Sequence, residues 1–273
     1  MRVLAFVALL MLAAPARASL IGVSFDGYVW TLAPVALTAA RIASSGLAEP
    51  NALARRSDGA LFTIGNQEVY VPDHGGMYVT VKVLAEIDPQ TGLAQPVNET
   101  AFTNWIGLAF SADDTLYGIQ RFTGSTTQLW KIDPTTGNTT SVGSTPFVSL
   151  TSLEFSPDGR LYAWQVFKGL VEIDPLSGTA VRITQGPDQL IQINSLAFTP
   201  GGGLIGVGQE VFDIDVSTGV AVSRGALVST PPGFVDIRGI AFWPVPEPSS
   251  LWLLLLAGLG ALGPASPRSR ARA

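Results

Sequence analysis

Acidic and amide side chains recur at equivalent points of an internal repeat, just before five short apolar segments. One aligned position holds Asn51, Ile106, Thr151, Asn194 and Arg238, and the position two residues earlier holds Glu49, Asn104, Ser149, Gln192 and Asp236. Residues two apart on a strand share one face, so we expect both sets to point the same way. Because Ca²⁺ prefers carboxylate and amide oxygens, the pattern predicts a candidate cation site formed by Glu49, Asn51, Asn104, Asn194 and Asp236.

The same side chains have a second interpretation, as polar groups that line a water-filled channel and only pack there. Arg238 stands where a further oxygen ligand would be wanted, which favours the packing interpretation. Apart from this calcium ion, we expect no cofactor. Both interpretations stay open at the level of the sequence.

The single histidine of the chain, His74, lies between Asp73 and Gly75 in the segment EVYVPDHGGMYVTVKV, an insertion in the longest repeat. A histidine on such a loop could act as a general base or a metal ligand. Asp, His and Gly are also ordinary residues of a solvated hairpin tip. We favour the hairpin tip.

Other kinds of catalytic site are excluded or lack their motifs. The chain has no cysteine, so it forms no disulfide, thiolate metal site or thiol nucleophile. One histidine excludes a multi-histidine metal site. The sequence contains no G-x-S-x-G, H-E-x-x-H or P-loop motif, and no G-x-G-x-x-G in the strand–turn–helix context of a dinucleotide fingerprint. These observations favour a protein that is not an enzyme.

The elements that position the polar residues belong to one recurring unit. Each copy begins with a SLAF-like segment, an Asp-Gly or Gly-Gly turn and an LYGI-like segment. It continues to an IDP-x-[ST]-G turn, with Val216 in place of the proline in the last copy, and to a polar, Thr/Val-rich segment. The two kinds of turn are typical of hairpins. Four strands per 41–55 residues predict the blade of a β-propeller. The copies occupy residues 51–97, 106–144, 151–186 and 194–226.

The two ends of the repeat complement each other. Residues 20–45 match the second, third and fourth strands, and residues 238–243 match a first strand alone. Together they predict one blade closed by both termini, which removes an open sheet edge. Second strands beginning at Leu20, Leu61, Leu116, Leu161 and Leu204 predict an all-β, five-bladed propeller of four-stranded antiparallel blades. A two-sheet sandwich is the alternative, but it would show no fixed period.

Composition supports a folded, acidic body. The 273 residues are 47% hydrophobic and 14% charged, which is too apolar for a disordered chain. Of 16 basic residues five are terminal arginines, and of 21 acidic residues only Glu247 is terminal, so the body has 11 basic and 20 acidic residues and a net charge of −9. Such a surface repels phosphate backbones, and we expect no nucleic-acid partner.

The N-terminal residues 1–18 have the pattern of a secretory signal peptide. Arg2 precedes an apolar run from Val3 to Ala14, and Ala16-Arg17-Ala18 forms an A-x-A cleavage site. We therefore expect cleavage between Ala18 and Ser19. A buried first helix is the alternative interpretation.

The C-terminal residues 245–273 combine Pro246-Glu247-Pro248, an apolar stretch from Leu251 to about Gly263 and a group of arginines. Prolines keep the motif extended, and arginines hold the end of an apolar segment on the cytoplasmic side. This tail resembles the PEP-CTERM sorting signal, which in that family is recognised by an exosortase. We expect helical apolar segments at both ends and a tail that anchors residues 19–244 in the inner membrane until it is cut. A permanent anchor is the alternative.

Two hypotheses for function follow. Resemblance to PEP-CTERM proteins implies an exported surface or matrix protein, processed by an exosortase-type enzyme and linked to extracellular polysaccharide or a surface protein. EPNALARRSDGALF and INSLAFTPGGGLI are also similar to the P-N-G-L-A-F-x-P-D-G pattern of gluconolactonase-type propellers, whose metal sites use channel carboxylates and asparagines. That resemblance implies a metal-dependent hydrolase or lactonase, although the family usually has six blades.

Overall fold

The computed structural model describes residues 18–72, 76–99, 104–121, 126–185 and 188–244, without the side chains of Ala18 and Pro244. Ser19–Trp243 form one compact unit. Within the described residues there are 21 strands and no α-helix. The helical segments expected at both ends lie outside the described residues. Among those described, no helix is long and apolar enough to cross a membrane.

The strands form five sheets, which are the blades of a propeller. Blade 1 begins with β1 (Ala18–Ser24), β2 (Tyr28–Ala33) and β3 (Thr38–Ser44). Blade 2 contains β4 (Ala48–Arg55), β5 (Leu61–Val71), β6 (Met77–Ile87) and β7 (Ala94–Glu99). Blade 3 contains β8 (Trp105–Phe110), β9 (Leu116–Arg121), β10 (Thr127–Ile132) and β11 (Thr139–Ser144).

The remaining strands complete the ring. Blade 4 contains β12 (Leu150–Phe155), β13 (Leu161–Gln165), β14 (Gly169–Ile173) and β15 (Ala180–Arg182). Blade 5 contains β16 (Ile193–Phe198), β17 (Leu204–Gly208), β18 (Glu210–Ile214) and β19 (Ala221–Ala226). The chain then returns to blade 1 through β20 (Val228–Thr230) and β21 (Ile237–Pro244).

The predicted fold is confirmed, including its closure. The last strand, β21, lies beside β1, so both termini share blade 1. Blade 1 also has a strand that the repeat did not predict, because β20 pairs in parallel with β3 at the outer edge. The other four blades are four-stranded antiparallel sheets with a largely exposed outermost strand.

The IDP-x-[ST]-G turns form as expected. The carboxylates of Asp88 and Asp133 accept hydrogen bonds from backbone amides two residues later, each at 2.8 Å. Those bonds lower the pKa of both aspartates. Gly92 and Gly137 take φ values of 76° and 71°, a conformation that glycine adopts without steric cost.

The core lies between the blades. Each of the five interfaces between neighbouring blades contains one cluster of buried apolar side chains. The innermost strands come close to each other, and a Cβ added at Gly107 would lie 2.6 Å from the carbonyl carbon of Ser152. Burial therefore holds each blade against the next. We call the face where β4, β8, β12, β16 and β21 begin the upper face, and the opposite one the lower face.

Candidate functional site

The backbone before three innermost strands departs from the regular alternation that the sequence prediction assumed. Glu49, Asn104 and Ser149 have φ values of 49°, 64° and 57°. A residue in this left-handed region turns the chain, so residues two apart no longer share one face by simple alternation. Alternation alone therefore does not predict how the two aligned sets of side chains project at these blades.

Three of the polar residues at the upper face connect neighbouring blades. Each donates a side-chain hydrogen bond to the carbonyl that precedes the equivalent position in the next blade. The bonds run from Asn51 Nδ2 to Trp105 O (3.0 Å), from Thr151 Oγ1 to Ile193 O (2.5 Å) and from Asn194 Nδ2 to Ile237 O (3.3 Å). These donors satisfy backbone carbonyls at the crowded centre of the propeller. We call them the inter-blade bonds.

Asp236 is held by its own neighbours. Arg238 binds both carboxylate oxygens of Asp236, at 2.9 and 2.6 Å, and Asn194 Nδ2 lies 3.2 Å from Asp236 Oδ1. Gln192 donates to Asn194 Oδ1 at 3.0 Å. The guanidinium of Arg238 also lies 5.0 Å from the centre of the Phe25 ring. Asn194 and Asp236 thus come together, in a network that a cation of the protein already neutralises.

The other three predicted site residues, Glu49, Asn51 and Asn104, line one open cavity of about 300 Å³ on the upper face. We call it the blade 2–3 cavity. Glu49 accepts a hydrogen bond from Asn66 Nδ2 at 2.9 Å. Phe25 and Trp105 supply aromatic lining. The structure therefore brings together three of the five residues that the sequence predicted.

Two cationic side chains that the sequence analysis missed line the same cavity, namely Lys82 and Arg121. Burial lowers the pKa of Lys82, and the charge of Glu49 acts in the opposite direction. Arg121 comes from the end of a second strand, at the repeat position of Asn66. Aligning the repeat at this position would have found Arg121, whereas Lys82 lies on β6 as the cross-strand partner of Asn66. Among the described residues that line the cavity, Glu49 is the single carboxylate, so the charges of these residues favour an anion over Ca²⁺.

The calcium site stays a prediction. Glu49 and Asp236 take part in two different hydrogen-bond networks on the upper face. Within the described residues, no group of three or more acidic or histidine side chains is placed to hold a metal ion. Carboxamide oxygens are also ligands for Ca²⁺, so a titration with Ca²⁺ is needed to test the prediction.

A second open cavity, of about 490 Å³, lies between blades 4 and 5 on the upper face. Phe167 and Leu190 line it and are 48% and 82% exposed. Gln192, Gln209 and Glu210 provide polar lining. We call it the blade 4–5 cavity. The long connection between β15 and β16 is the sequence signal that could have indicated it.

The insertion in blade 2 forms a two-stranded ribbon. Strands β5 and β6 have 11 residues each, whereas the corresponding strands of blade 4 have five. Tyr70 and Tyr78 face each other across the ribbon, with ring centroids 5.2 Å apart. His74 lies outside the described residues, so its role as a base, a ligand or a turn residue stays a prediction.

Glu154 is a half-buried acid on the innermost strand of blade 4, β12. It stands at the repeat position that holds alanine in the other four blades, Ala54, Ala109, Ala197 and Ala241. Its carboxylate accepts a hydrogen bond from the backbone amide of Phe198 at 3.2 Å. Burial raises the pKa of Glu154 to about 8, although that hydrogen bond and the charge of Arg55 oppose the shift.

The predicted processing sites fall mostly outside the described residues. Pro246, Glu247, Pro248, the apolar stretch and the terminal arginines lie there, as does the side chain of Ala18. Ser19 lies within β1, and the pairing of β1 with β2 starts at Leu20. Cleavage after Ala18 would thus leave that pairing intact, and the cleavage itself stays a prediction.

Comparison with known proteins identifies the tail. Residues 244–270 match the PEP-CTERM protein-sorting motif. No curated protein sequence matches the chain.

Comparison with solved structures shows the fold of the body. A symmetrical protein whose de novo evolutionary emergence is shaped by folding constraints has 17% identity and a TM-score of 0.55, over 85% of this chain and all of that one. A chain of a nidogen–laminin complex has 11% identity and a TM-score of 0.52, over 83% and 98% of the two chains. At these identities the similarity shows the fold alone.

The gluconolactonase of Xanthomonas campestris has 15% identity and a TM-score of 0.42, over 71% of this chain and 67% of that one. A match at this score says nothing about activity here. The protein therefore carries a PEP-CTERM protein-sorting motif behind a five-bladed β-propeller body, and that motif implies export, a membrane-anchored C-terminal sorting signal and processing by an exosortase.

Proposed function

We propose that the protein is a non-enzymatic binding module of the cell surface or matrix, delivered by its sorting tail, and that it binds extracellular polysaccharide. The observation that carries the proposal is the composition of the upper face. Two open cavities there combine amide and carboxylate groups with exposed aromatic or aliphatic side chains.

The chemistry of sugars fits such a lining. Sugar rings present C–H groups on their faces and hydroxyl groups at their edges, so they need apolar contact and hydrogen bonding together. A site of this kind is apolar with a few placed polar groups. Phe167 and Leu190 supply apolar contact beside Gln192 and Gln209 in the larger cavity, and Phe25 plays that part in the smaller one. The resemblance of the tail to PEP-CTERM signals supports a polysaccharide as partner.

The binding proposal is tested with the segment 19–244, which contains the paired residues of all described strands and the five inter-blade clusters. We expect this segment to be retained on extracellular polysaccharide from the producing cells. Retention should fall when a cavity residue is changed, in Phe167→Ala or Lys82→Gln, and should persist in Leu176→Ala, an exposed control on an IDP-x-[ST]-G turn of blade 4. Absence of retention for the unmodified segment contradicts the proposal.

Delivery is tested separately in the full chain. Replacing Pro246, Glu247 and Pro248 by alanine is expected to abolish C-terminal processing and release from the membrane. A matched control replaces Ser249 and Ser250, which adjoin the motif. C-terminal cleavage that continues unchanged in the first variant would show that the tail is not processed as its motif implies.

A metal-dependent hydrolase or lactonase is the second candidate, favoured by the shared cavity of Glu49, Asn51 and Asn104. It is tested by thermal unfolding of the segment 19–244 in EDTA and then with excess Ca²⁺. A ligand at a hundred times its dissociation constant adds about 2.7 kcal/mol of stability. A shift that is lost in Glu49→Ala or Asp236→Ala would support the metal site, and lactones would then be assayed.

A further inference from the structure

The ribbon of blade 2 continues the blade 2–3 cavity along one face. Residues two apart on a strand share a face, and direct cross-strand partners lie on the same side of a sheet. The pairing of β5 with β6 runs without a bulge. Three alternate pairs therefore form one row, which we call the ribbon row: Asn66 with Lys82, Glu68 with Thr80, and Tyr70 with Tyr78.

The two sides of the ribbon differ in exposure. Val69 and Val79, on the opposite side, are partly buried. Tyr70 and Tyr78 are 53% and 69% exposed. Gly76 leaves room for this arrangement, since an added Cβ would lie 2.7 Å from the hydroxyl of Tyr70. The ribbon thus presents a pair of aromatic rings to solvent.

The inner end of the ribbon row is cationic. Lys82 and Arg121 line the cavity, and Glu49 is the single carboxylate among its described lining residues. The propeller body carries a net charge of −9, so a local excess of positive charge stands out on an acidic surface. Field lines concentrate in such a cleft and attract a ligand of opposite sign.

We propose that this face binds an acidic polysaccharide, with the carboxylate of one sugar unit at Lys82 and Arg121 and the ring of a nearby unit against Tyr70 and Tyr78. The inference rests on the proposed function, because it names the ligand class and the position of a polysaccharide site. Four residues along the ribbon separate the two contacts by about 13 Å. A uronic acid chain supplies both a carboxylate and a ring within a short oligosaccharide.

The residues in the middle of the ribbon row allow a prediction of whether a substitution strengthens or weakens binding. Glu68 and Thr80 lie between the two contacts, are exposed, and can bond sugar hydroxyl groups. The charge of Glu68 also repels a carboxylate in the ligand. Glu68→Gln is therefore expected to tighten the binding of an acidic sugar chain and to leave the binding of a neutral one unchanged.

The experiment is calorimetric titration of the segment 19–244 with hexagalacturonate, and with the same hexasaccharide after reduction of its carboxylates to alcohols. We expect the acidic compound to bind about tenfold more tightly, since a hydrogen bond to a charged group contributes more than one to a neutral hydroxyl. High salt should weaken the binding of the acidic compound alone, because salt screens exposed charges.

Variants locate the binding. Lys82→Gln is expected to lower the affinity for hexagalacturonate about tenfold and remove the preference over the reduced compound. The double substitution Tyr70→Ala and Tyr78→Ala should weaken the binding of both compounds about equally. Matched controls are Lys131→Gln and Phe234→Ala, which change an exposed lysine of blade 3 and an exposed aromatic near β20. Circular dichroism melting confirms that each variant is folded.

Three results overturn the inference. Equal affinity for the two hexasaccharides would show that the site does not select an acidic ligand. Binding that survives in the Lys82 and tyrosine variants but is lost in Phe167→Ala places the sugar in the blade 4–5 cavity, which contradicts the inference and supports the broader proposal. Failure to bind either hexasaccharide, together with absence of retention on native polysaccharide, overturns both.

Discussion

Blades 2 and 4 are built from the same repeat but use their length differently. Blade 4 has short central strands, and its aromatic side chains Tyr162 and Trp164 are 1% and 0% exposed. Blade 2 has the same inner half, but its central strands continue beyond the upper face and carry Tyr70 and Tyr78 in solvent. The part of a blade that packs between neighbours must bury its aromatic residues. The part that extends past them is free to present aromatic residues to a ligand.

The largest expected effect is in the core of blade 4. Trp164 packs between blades 4 and 5 and donates from Nε1 to Ile191 O at 3.2 Å. Trp164→Ala is expected to cost about 3–5 kcal/mol, or about 10 °C in Tm. Differential scanning calorimetry of the segment 19–244 measures it. A loss under about 1 kcal/mol would contradict the account of the core.

Glu154 gives the next effect, which depends on pH. Burial raises its pKa from 4.5 to about 8, so the folded state holds the proton more tightly than the unfolded state. The stability from this group is therefore fully present below about pH 4.5 and is lost as the pH rises through 8. Since the side chain keeps partial access to solvent, we expect the loss of folding free energy at high pH to be smaller than the full pKa shift implies.

Glu154→Gln removes the charge at nearly constant volume. Its melting temperature should equal that of the unmodified segment near pH 4 and exceed it by about 5 °C at pH 8.5, which corresponds to about 2 kcal/mol. Glu172→Gln, an ion-paired surface residue of the same blade, is the control and should show little change. A pH-independent difference for Glu154→Gln would mean that the group is not buried as described.

The inter-blade bonds give a smaller effect. Thr151→Val keeps the shape of the side chain and removes the bond to Ile193 O. The expected cost is about 1 kcal/mol, measured by urea unfolding. Thr140→Val, exposed on β11, is the control. If both variants lose the same stability, the bond at Thr151 makes no particular contribution.

The smallest effect on stability is expected in the ribbon. Tyr78→Ala changes an exposed side chain outside the five inter-blade clusters, so the free energy of unfolding should change by less than about 0.5 kcal/mol. The same variant should lose affinity for hexagalacturonate. A large loss of stability would mean that the ribbon belongs to the folded core, and it would contradict the difference described between blades 2 and 4.

The sequence predicts the fold well because the repeat expresses local chemistry. A leucine marks each second strand and an Asp-Pro turn follows the third strand of blades 2, 3 and 4, so strands and blades can be counted from residue types alone. The complementary ends predict the closure for the same reason. The sequence does not predict strand β20, because the three residues Val228–Thr230 have no periodic pattern and pair in parallel with a distant strand.

The candidate site is predicted less completely. Three of the predicted residues, Glu49, Asn51 and Asn104, share a cavity. Their arrangement depends on left-handed backbone at Glu49 and Asn104, which alternation does not foresee. The cations Lys82 and Arg121 come from different blades and meet only through the packing of blades 2 and 3. Such a meeting depends on the assembled ring rather than on any local segment.

The most direct test of the account is hydrogen–deuterium exchange on the segment 19–244, with and without saturating hexagalacturonate. We predict slower exchange in peptides from β5 and β6, and no change in the outer strand β15 of blade 4. Slower exchange confined to the blade 4–5 cavity, or no change anywhere in the segment, would contradict a sugar site on the ribbon of blade 2.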